Sequence, residues 1–305
     1  MKKFHRHSII TVLVVASVLG LAGVVMTSPA GYAAHPTVNL RTAEPFAILS
    51  GTGITNVPTS TITGNIGVHP TTGASMTGIS CSEVIGTIYD IDGTFAGACE
   101  VVDPALLNTA KIDLVTAYDD AAGRTPVTTV PTELGGTTKT DGVYNSASTT
   151  FEITAGAGPL VLDGQGNPNA VFIFLMNSGA TGLTVGSGST VSLINGAQAC
   201  NVFWKLNTAT IDTTAVFKGN ILALTSITVA NGANIEGRLL ARNGNVTLIS
   251  DTITRAVCAA TTTPGLPNAG IGSEDKSGIS WNIIIPAGIV VALFSLHLAR
   301  KKQAV

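Results

Sequence analysis

Charged residues are scarce in this sequence, and their scarcity excludes several classes of protein. Asp, Glu, Lys and Arg make up 11% of the 305 residues, against roughly 25% in an average globular domain. Between its terminal segments the chain carries a net charge of about −7, which would repel a phosphate backbone. This central part also has no run of Lys or Arg that could line a groove. We therefore expect no nucleic-acid partner.

Histidine and the usual catalytic motifs are also lacking. His35 and His69 are the only histidines outside the terminal segments, which is too few for a zinc cluster. Residues 90–93, Asp-Ile-Asp-Gly, begin like a calcium-binding loop, but the twelfth position holds Val101 instead of Glu. No Ser lies in a nucleophile-elbow setting. We expect neither an enzyme nor a bound metal or other cofactor.

A repeat between residues 201 and 254 is the clearest pattern that the sequence does contain. Trp204, Leu222 and Leu240 lie in similar apolar settings, 18 residues apart. Each is followed by a row in which small apolar residues alternate with Thr, and then by a third short row. Rows this short cannot bury their own apolar sides, so successive copies must stack into a column. The repeat predicts an all-β fold, a β-solenoid of about 18 residues per coil.

One helix is predicted beside this column. Asp103 is a suitable N-cap, Pro104 suits the first helical position, and apolar residues recur at helical spacing until Gly123. We predict a helix over 103–123 that packs on the strand rows containing Phe172, Phe174, Trp204, Leu222 and Leu240. Residues 71–102 have a looser pattern and are expected to form an excursion that caps one end of the column.

Several stretches of the chain resemble the widespread microbial ice-binding protein family. The resemblance runs from about Leu40 to Val257. It implies a discontinuous β-solenoid of triangular section, in which N-terminal strands insert beside C-terminal coils and one long helix packs along a face. It also implies adsorption to the surface of an ice crystal. The stretches that carry it are Phe46-Ala-Ile-Leu, Thr61-Ile-Thr-Gly-Asn-Ile-Gly-Val, Gly142-Val-Tyr, Leu162-Asp-Gly-Gln-Gly-Asn-Pro-Asn-Ala-Val-Phe-Ile-Phe, Asn195-Gly-Ala-Gln-Ala-Cys-Asn-Val-Phe-Trp and Phe217-Lys-Gly-Asn-Ile-Leu-Ala.

Strand alternation in the second row selects a face for this binding. Apolar side chains that point inward turn their neighbours outward. The outward residues form two columns of small, uncharged groups, with roughly 4.8 Å between coils and about 6.7 Å between columns. We expect this array to bind ice, and the third row is the next candidate, with Thr190, Ser192, Asn234, Thr252 and Thr254. The predicted ice-binding residues are Gly182, Thr184, Thr208, Thr210, Ser226, Thr228, Asn245 and Thr247.

The sequence leaves two other functions open. The same column could serve a cell-surface adhesin that holds glycan or a neighbouring cell, or a wall scaffold with no ligand. Sugar-binding faces usually need aromatic platforms, whereas aromatic residues are 5% of this chain. The low aromatic content favours ice binding over glycan binding. We also expect the protein to be a monomer.

The first 34 residues are typical of a secretory signal. Basic residues precede an apolar run from Ile9 to Met26, and small residues follow. Cleavage is expected after Ala30 or Ala33, which would leave residues 35–260 as the folded domain. An uncleaved membrane anchor is the alternative, because the apolar run is close to the spanning length of about 20 residues.

The C-terminal residues contain a second pattern that is typical of a targeting signal. Residues 261–278 form a linker, 279–299 an apolar segment long enough to span a bilayer, and 300–305 a basic tail. This order resembles a Gram-positive sortase sorting signal, with Ala269 where Thr is usual. The signal would join the chain to peptidoglycan, whereas a plain transmembrane anchor would keep it in the membrane. Both place the domain on the outer face of a cell, and the sorting motif is Leu266, Pro267, Asn268, Ala269 and Gly270.

Four cysteines in an exported protein are expected to be oxidised. Cys81 and Cys99 lie in the same predicted excursion, which favours their pairing. Cys200 and Cys258 then remain as a second pair, with a free, buried Cys200 as the alternative.

Overall fold

The computed structural model describes residues 35–176 and 182–259. The predicted signal segment (1–34), linker with its sorting motif (261–278), transmembrane segment (279–299) and basic tail (300–305) all lie outside the described residues. Within the described ranges, no helix is long and apolar enough to cross a membrane.

The described chain contains one α-helix, α1 (Pro104–Ala122), and many short strands. In chain order the strands are β1 (Phe46–Ser50), β2 (Gly53–Val57), β3 (Thr61–Thr63), β4 (Asn65–Val68), β5 (Met76–Thr77), β6 (Val84–Ile85), β7 (Ile88–Asp90), β8 (Val101–Val102), β9 (Val127–Val130), β10 (Thr138–Lys139), β11 (Gly142–Ser146), β12 (Thr150–Ile153), β13 (Leu160–Asp163), β14 (Phe172–Leu175), β15 (Gly182–Val185), β16 (Val191–Ile194), β17 (Val202–Leu206), β18 (Thr208–Ile211), β19 (Val216–Ala223), β20 (Ile227–Val229), β21 (Asn234–Ala241), β22 (Asn245–Ile249) and β23 (Thr252–Thr254).

The strands form three parallel sheets that wind as a β-helix. One sheet has seven strands in the order β12-β15-β18-β20-β22-β2-β5, a second has 13 strands, and the third joins β10, β13 and β16. Neighbouring strands run parallel throughout. The predicted class, mostly β with one helix and a solenoid-like path, is therefore confirmed.

The N-terminal strands insert beside the last coils, as the resemblance implies. Strand β1 pairs with β21, β2 with β22 and β3 with β23. The 13-stranded and seven-stranded sheets thus each join segments from both ends of the described chain. The long strands β19 and β21 pass from one wall to the next through Gly219 and Gly237. A Cβ on Gly237 would lie 1.8 Å from the carbonyl oxygen of Gly219, so only glycine allows the strands to approach at this turn.

The register of the first row differs by one residue from the predicted repeat. Trp204 pairs with Ile221, which pairs with Leu239, whereas Leu222 pairs with Lys205. Because a shift of one residue moves a side chain to the opposite face, the predicted equivalence of Trp204 with Leu222 and Leu240 is wrong. Trp204 points into the column, and Leu222 and Leu240 point towards the helix.

Helix α1 packs on the outside of the 13-stranded sheet. The carboxylate of Asp103 accepts a hydrogen bond from the backbone N–H of Leu106 at 2.9 Å, so Asp103 is the N-cap as predicted. The helix buries one stripe, which includes Leu107, Leu114 and Ala117. Leu222 and Leu240 lie in the same apolar cluster as this stripe. The other predicted partners, Phe172, Phe174 and Trp204, point into the column instead, and their strands present Ile173, Leu175 and Phe203 to the helix.

Residues 71–102 lie at one end of the column. Their strands β5, β6 and β7 pair with β2, β3 and β4, so the segment continues the walls in short pieces. A disulfide between Cys81 and Cys99 closes it, with the two Cα atoms 6.2 Å apart. The second disulfide joins Cys200 to Cys258, so the four cysteines form the two expected pairs.

Candidate functional site

The seven-stranded sheet presents a ladder of six threonines to solvent. The six are in register on successive strands, and all are exposed except Thr247, which is partly buried. Each has at least one buried apolar neighbour on its strand, such as Leu183, Ala209 or Ile227, so alternation holds the hydroxyl-bearing side chains outward. We call this set the threonine ladder; in order it contains Thr184, Thr210, Thr228, Thr247, Thr55 and Thr77.

Two members of the threonine ladder were not predicted from the sequence. Thr55 pairs with Thr247, and Thr77 pairs with Thr55. Both belong to the N-terminal strands and lie outside the 18-residue repeat, so periodicity could not place them beside β22. Ile54, Thr55 and Val57 are residue types common in strands, but they do not identify the neighbouring strand.

The second line of predicted ice-binding residues, two positions before the threonine ladder on each strand, is less exposed than the ladder itself. Thr208, Ser226 and Asn245 are partly buried, and Gly182 is buried. Gly182 adopts a φ of +132°, and a Cβ there would lie 1.8 Å from the carbonyl oxygen of Thr208. Gly182 therefore serves the close approach of β15 and β18, and it adds no exposed group to the surface. Asn245 instead helps to hold the threonine ladder in place, because its Nδ2 donates a hydrogen bond to Oγ1 of Thr247 at 3.0 Å.

The surface around the threonine ladder is almost free of charge. In the seven strands of this sheet, Glu152 is the one charged residue. It lies at the end of the ladder, as the register partner of Thr184. A surface of hydroxyl and methyl groups lacks the tightly held hydration of ions. Its β-branched side chains are already stiff about χ1, so they lose little freedom when water orders over them.

The residues of the alternative ice-binding site lie on the same side of the β-helix as an ion pair. Thr252 pairs with Asn234 and with Thr61, and Thr254 pairs with Glu236. The carboxylate of Glu236 accepts a hydrogen bond from Nζ of Lys218 at 2.7 Å. The other two candidates, Thr190 and Ser192, lie on the far side of this pair, since Thr190 bridges to Val216. Charge thus interrupts this wall near its middle.

The titratable groups with the most altered environment lie away from the threonine ladder. Nζ of Lys111 is buried under helix α1 and donates to the carbonyl oxygens of Ala241 and Arg242 at 2.7 and 2.6 Å. Burial, and next the charge of Arg242, lower the pKa of Lys111 to about 7. Among the described residues no group of His, Cys, Asp and Glu is placed to hold a metal ion.

Several known proteins are similar to this chain in sequence. A family model described as ice-binding-like matches residues 48–254. An ice-binding protein of Flavobacterium frigoris (strain PS1) is 40% identical over 221 residues, which are 71% of this chain and 76% of that protein. One from Nostoc sp. (strain HG1) is 40% identical over 220 residues, covering 71% of this chain and 74% of that protein.

Solved structures agree with the sequence matches. The crystal structure of an ice-binding protein from an Antarctic biological consortium superposes with a TM-score of 0.63 at 34% identity, covering 73% of this chain and 93% of that one. An ice-binding protein from an Arctic yeast, LeIBP, described as having antifreeze activity, gives a TM-score of 0.63 at 29% identity, covering 73% of this chain and 96% of that one.

Proposed function

This chain belongs to the ice-binding-like family, and from that membership we propose that it adsorbs to ice through the threonine ladder. Adsorption of this kind would give thermal hysteresis and inhibit ice recrystallisation. The observation that carries the proposal is the register of six threonines on six successive strands of one sheet.

The repeat of the threonine ladder supports ordered water. Parallel strands place equivalent residues roughly 4.8 Å apart along the column. Each rank of the ladder, which is the ladder position on one strand, offers a methyl group that confines water and a hydroxyl that both donates and accepts hydrogen bonds. Repetition of the same group at a fixed spacing favours a regular water layer, which can then merge with the surface of a crystal.

The flatness of the surface depends on the shape of the coil. We propose coils of about 18 residues with a triangular section, because a triangle gives straight walls where a round coil would curve. Register supports this size: Nζ of Lys218 and the carboxylate of Glu236 meet at an equivalent place in successive coils, 18 residues apart. A curved wall would lift the outer ranks of the ladder away from a flat crystal face.

An adhesin that binds glycan is the weaker alternative. Such a protein needs exposed aromatic platforms, and the large aromatic residues of the repeat are fully buried inside the column or under the helix. Trp204 and Phe174 stack with their ring centroids 4.0 Å apart in the interior, and Phe203 lies under the helix. The aromatic groups therefore serve the core.

We further propose that the domain is exported and displayed as a monomer at the cell surface. The support is the N-terminal signal pattern and the C-terminal order of sorting motif, apolar segment and basic tail. Either a link to peptidoglycan or a membrane anchor would fit this order. Release of the protein by muralytic enzymes would support the wall link, whereas extraction of the intact chain by mild detergent would support the membrane anchor.

Substitution of the central ladder residues tests the proposed function. Thr210→Tyr and Thr228→Tyr would each raise a bulky ring from the flat surface without entering the core, so thermal hysteresis should fall steeply while the melting temperature holds. Thr252→Tyr is the matched control, because it places the same ring on an exposed strand position of another wall. Full activity in both ladder variants would contradict this site.

A further inference from the structure

The threonine ladder stops at a carboxylate. Strand β12 continues the seven-stranded sheet by one strand beyond β15, and Glu152 occupies the position that carries Thr in each of the next six strands. Its inward neighbours, Phe151 and Ile153, are fully buried, as are those of Thr228 and Thr247. The backbone at this rank is therefore built like the rest of the ladder, and only the outward side chain differs.

The position of Glu152 is fixed by its backbone. Its N–H donates to the carbonyl oxygen of Thr132 at 2.8 Å, and its own carbonyl oxygen accepts from the N–H of Leu134 at 2.8 Å. No ion pair or side-chain hydrogen bond involves the Glu152 carboxylate among residues 35–176 and 182–259. A change of this side chain should leave the strand where it is.

The next residue beyond Glu152 in this direction is also acidic. The bridge partner of Glu152 on the outer side is Glu133, whose carboxylate accepts hydrogen bonds from the N–H of Gly135 and from the N–H of Thr154. These bonds hold Glu133 in the end segment of the column as a second acidic residue. Only one rank, that of Glu152, separates the threonine ladder from this end.

We propose that Glu152 sets the length of the ice-binding surface, an inference that rests on the proposed function. A carboxylate holds its water strongly and loses it only at a high free-energy cost, so water over this rank stays oriented around the charge. The Glu152 side chain is also longer than that of Thr and only partly exposed, so it does not repeat the shape of the threonine ranks. The ordered water layer therefore ends at Thr184, one strand short of the end of the sheet.

Two reciprocal substitutions test this role. Glu152→Thr should extend the ladder to seven ranks and raise thermal hysteresis at equal concentration by about one-sixth or more, since adhesion grows with the matched area. Thr184→Glu should add a second carboxylate one rank further into the ladder and lower thermal hysteresis by at least as much. Glu152→Gln, which removes the charge and keeps the length, should lie between wild type and Glu152→Thr.

Glu236→Thr provides the matched control, because it makes the same change in net charge on a different wall. It should leave thermal hysteresis unchanged, and melting temperatures of all variants should stay near that of the wild type. A Glu152→Thr variant no more active than wild type, together with a steep loss in Thr210→Tyr, would overturn the role of Glu152 and keep the proposed function. Full activity in Thr210→Tyr would instead contradict the proposed function itself.

Discussion

At the scale of single residues, Lys111 is the side chain whose burial most affects the protein's response to pH. Its ammonium group lies between helix α1 and the sheet, where burial lowers its pKa from 10.5 to about 7. The hydrogen bonds to the carbonyl oxygens of Ala241 and Arg242 use two of its three donors and do not replace the lost water completely. Folding therefore favours the neutral amine.

This lowered pKa predicts that stability rises with pH above 7. Between pH 7 and 10.5 the folded protein binds fewer protons at Lys111 than the unfolded chain does, so raising the pH favours the folded state, by up to about 1.4 kcal/mol per pH unit. Lys111→Met should reduce this slope in denaturant titrations between pH 7 and 9. Burial also lowers the pKa of Lys139 and Lys205, so part of the slope should stay. An identical slope in the variant would show that Lys111 is not responsible.

Individual residues of the site were predictable where local alternation fixes the side of a strand. Thr210 and Thr228 follow from the buried apolar residues on either side of them. The backbone conformation of Gly182 could not be predicted, because it results from contact with the carbonyl oxygen of Thr208 on the next strand. Thr55 could not be placed either, because its partner Thr247 is distant in the chain and nothing local encodes the pairing.

At the scale of elements, helix α1 links several coils of the column. Its bounds were readable from the sequence, because Asp103, Pro104 and Gly123 act locally as N-cap, first residue and C-cap. Its contacts were less predictable: a difference of one residue in register decides whether Phe203 or Trp204 faces the helix. A repeat in the sequence gives the period of the coils but not that register.

Docking of the helix makes its buried stripe sensitive to charge. Leu114 is fully buried between the helix and the sheet, so Leu114→Asp would place an unpaired carboxylate there and lower the free energy of unfolding by several kcal/mol. Ile112 lies two positions away on the same helix with 56% of its surface exposed. Ile112→Asp is therefore the control and should change stability by less than about 0.5 kcal/mol. Equal melting temperatures for Leu114→Asp and wild type would show that the helix is not docked.

At the scale of the whole domain, both ends of the described chain leave from the same junction. Oγ1 of Thr37 donates to Oδ1 of Asn201 at 3.0 Å, and the N–H of Ala259 donates to Oε1 of Gln198 at 2.7 Å. The disulfide to Cys200 ties Cys258 to the same place. This junction joins β16 to β17 and is the one turn of the coil that does not adjoin the seven-stranded sheet. Residues Thr37 and Ala259, near the two ends of the described chain, thus both contact this junction and not the seven-stranded sheet.

The most direct test of ice adsorption through the threonine ladder is to observe the protein on ice. A fluorescent protein joined after Ala259 reports the position of the domain without covering the ladder, and a single ice crystal grown in the labelled solution then shows whether protein is taken up at its surface. We expect a fluorescent surface with the wild type and with Thr252→Tyr, and a dark crystal with Thr210→Tyr. Equal fluorescence with Thr210→Tyr and wild type would contradict the assignment of this surface.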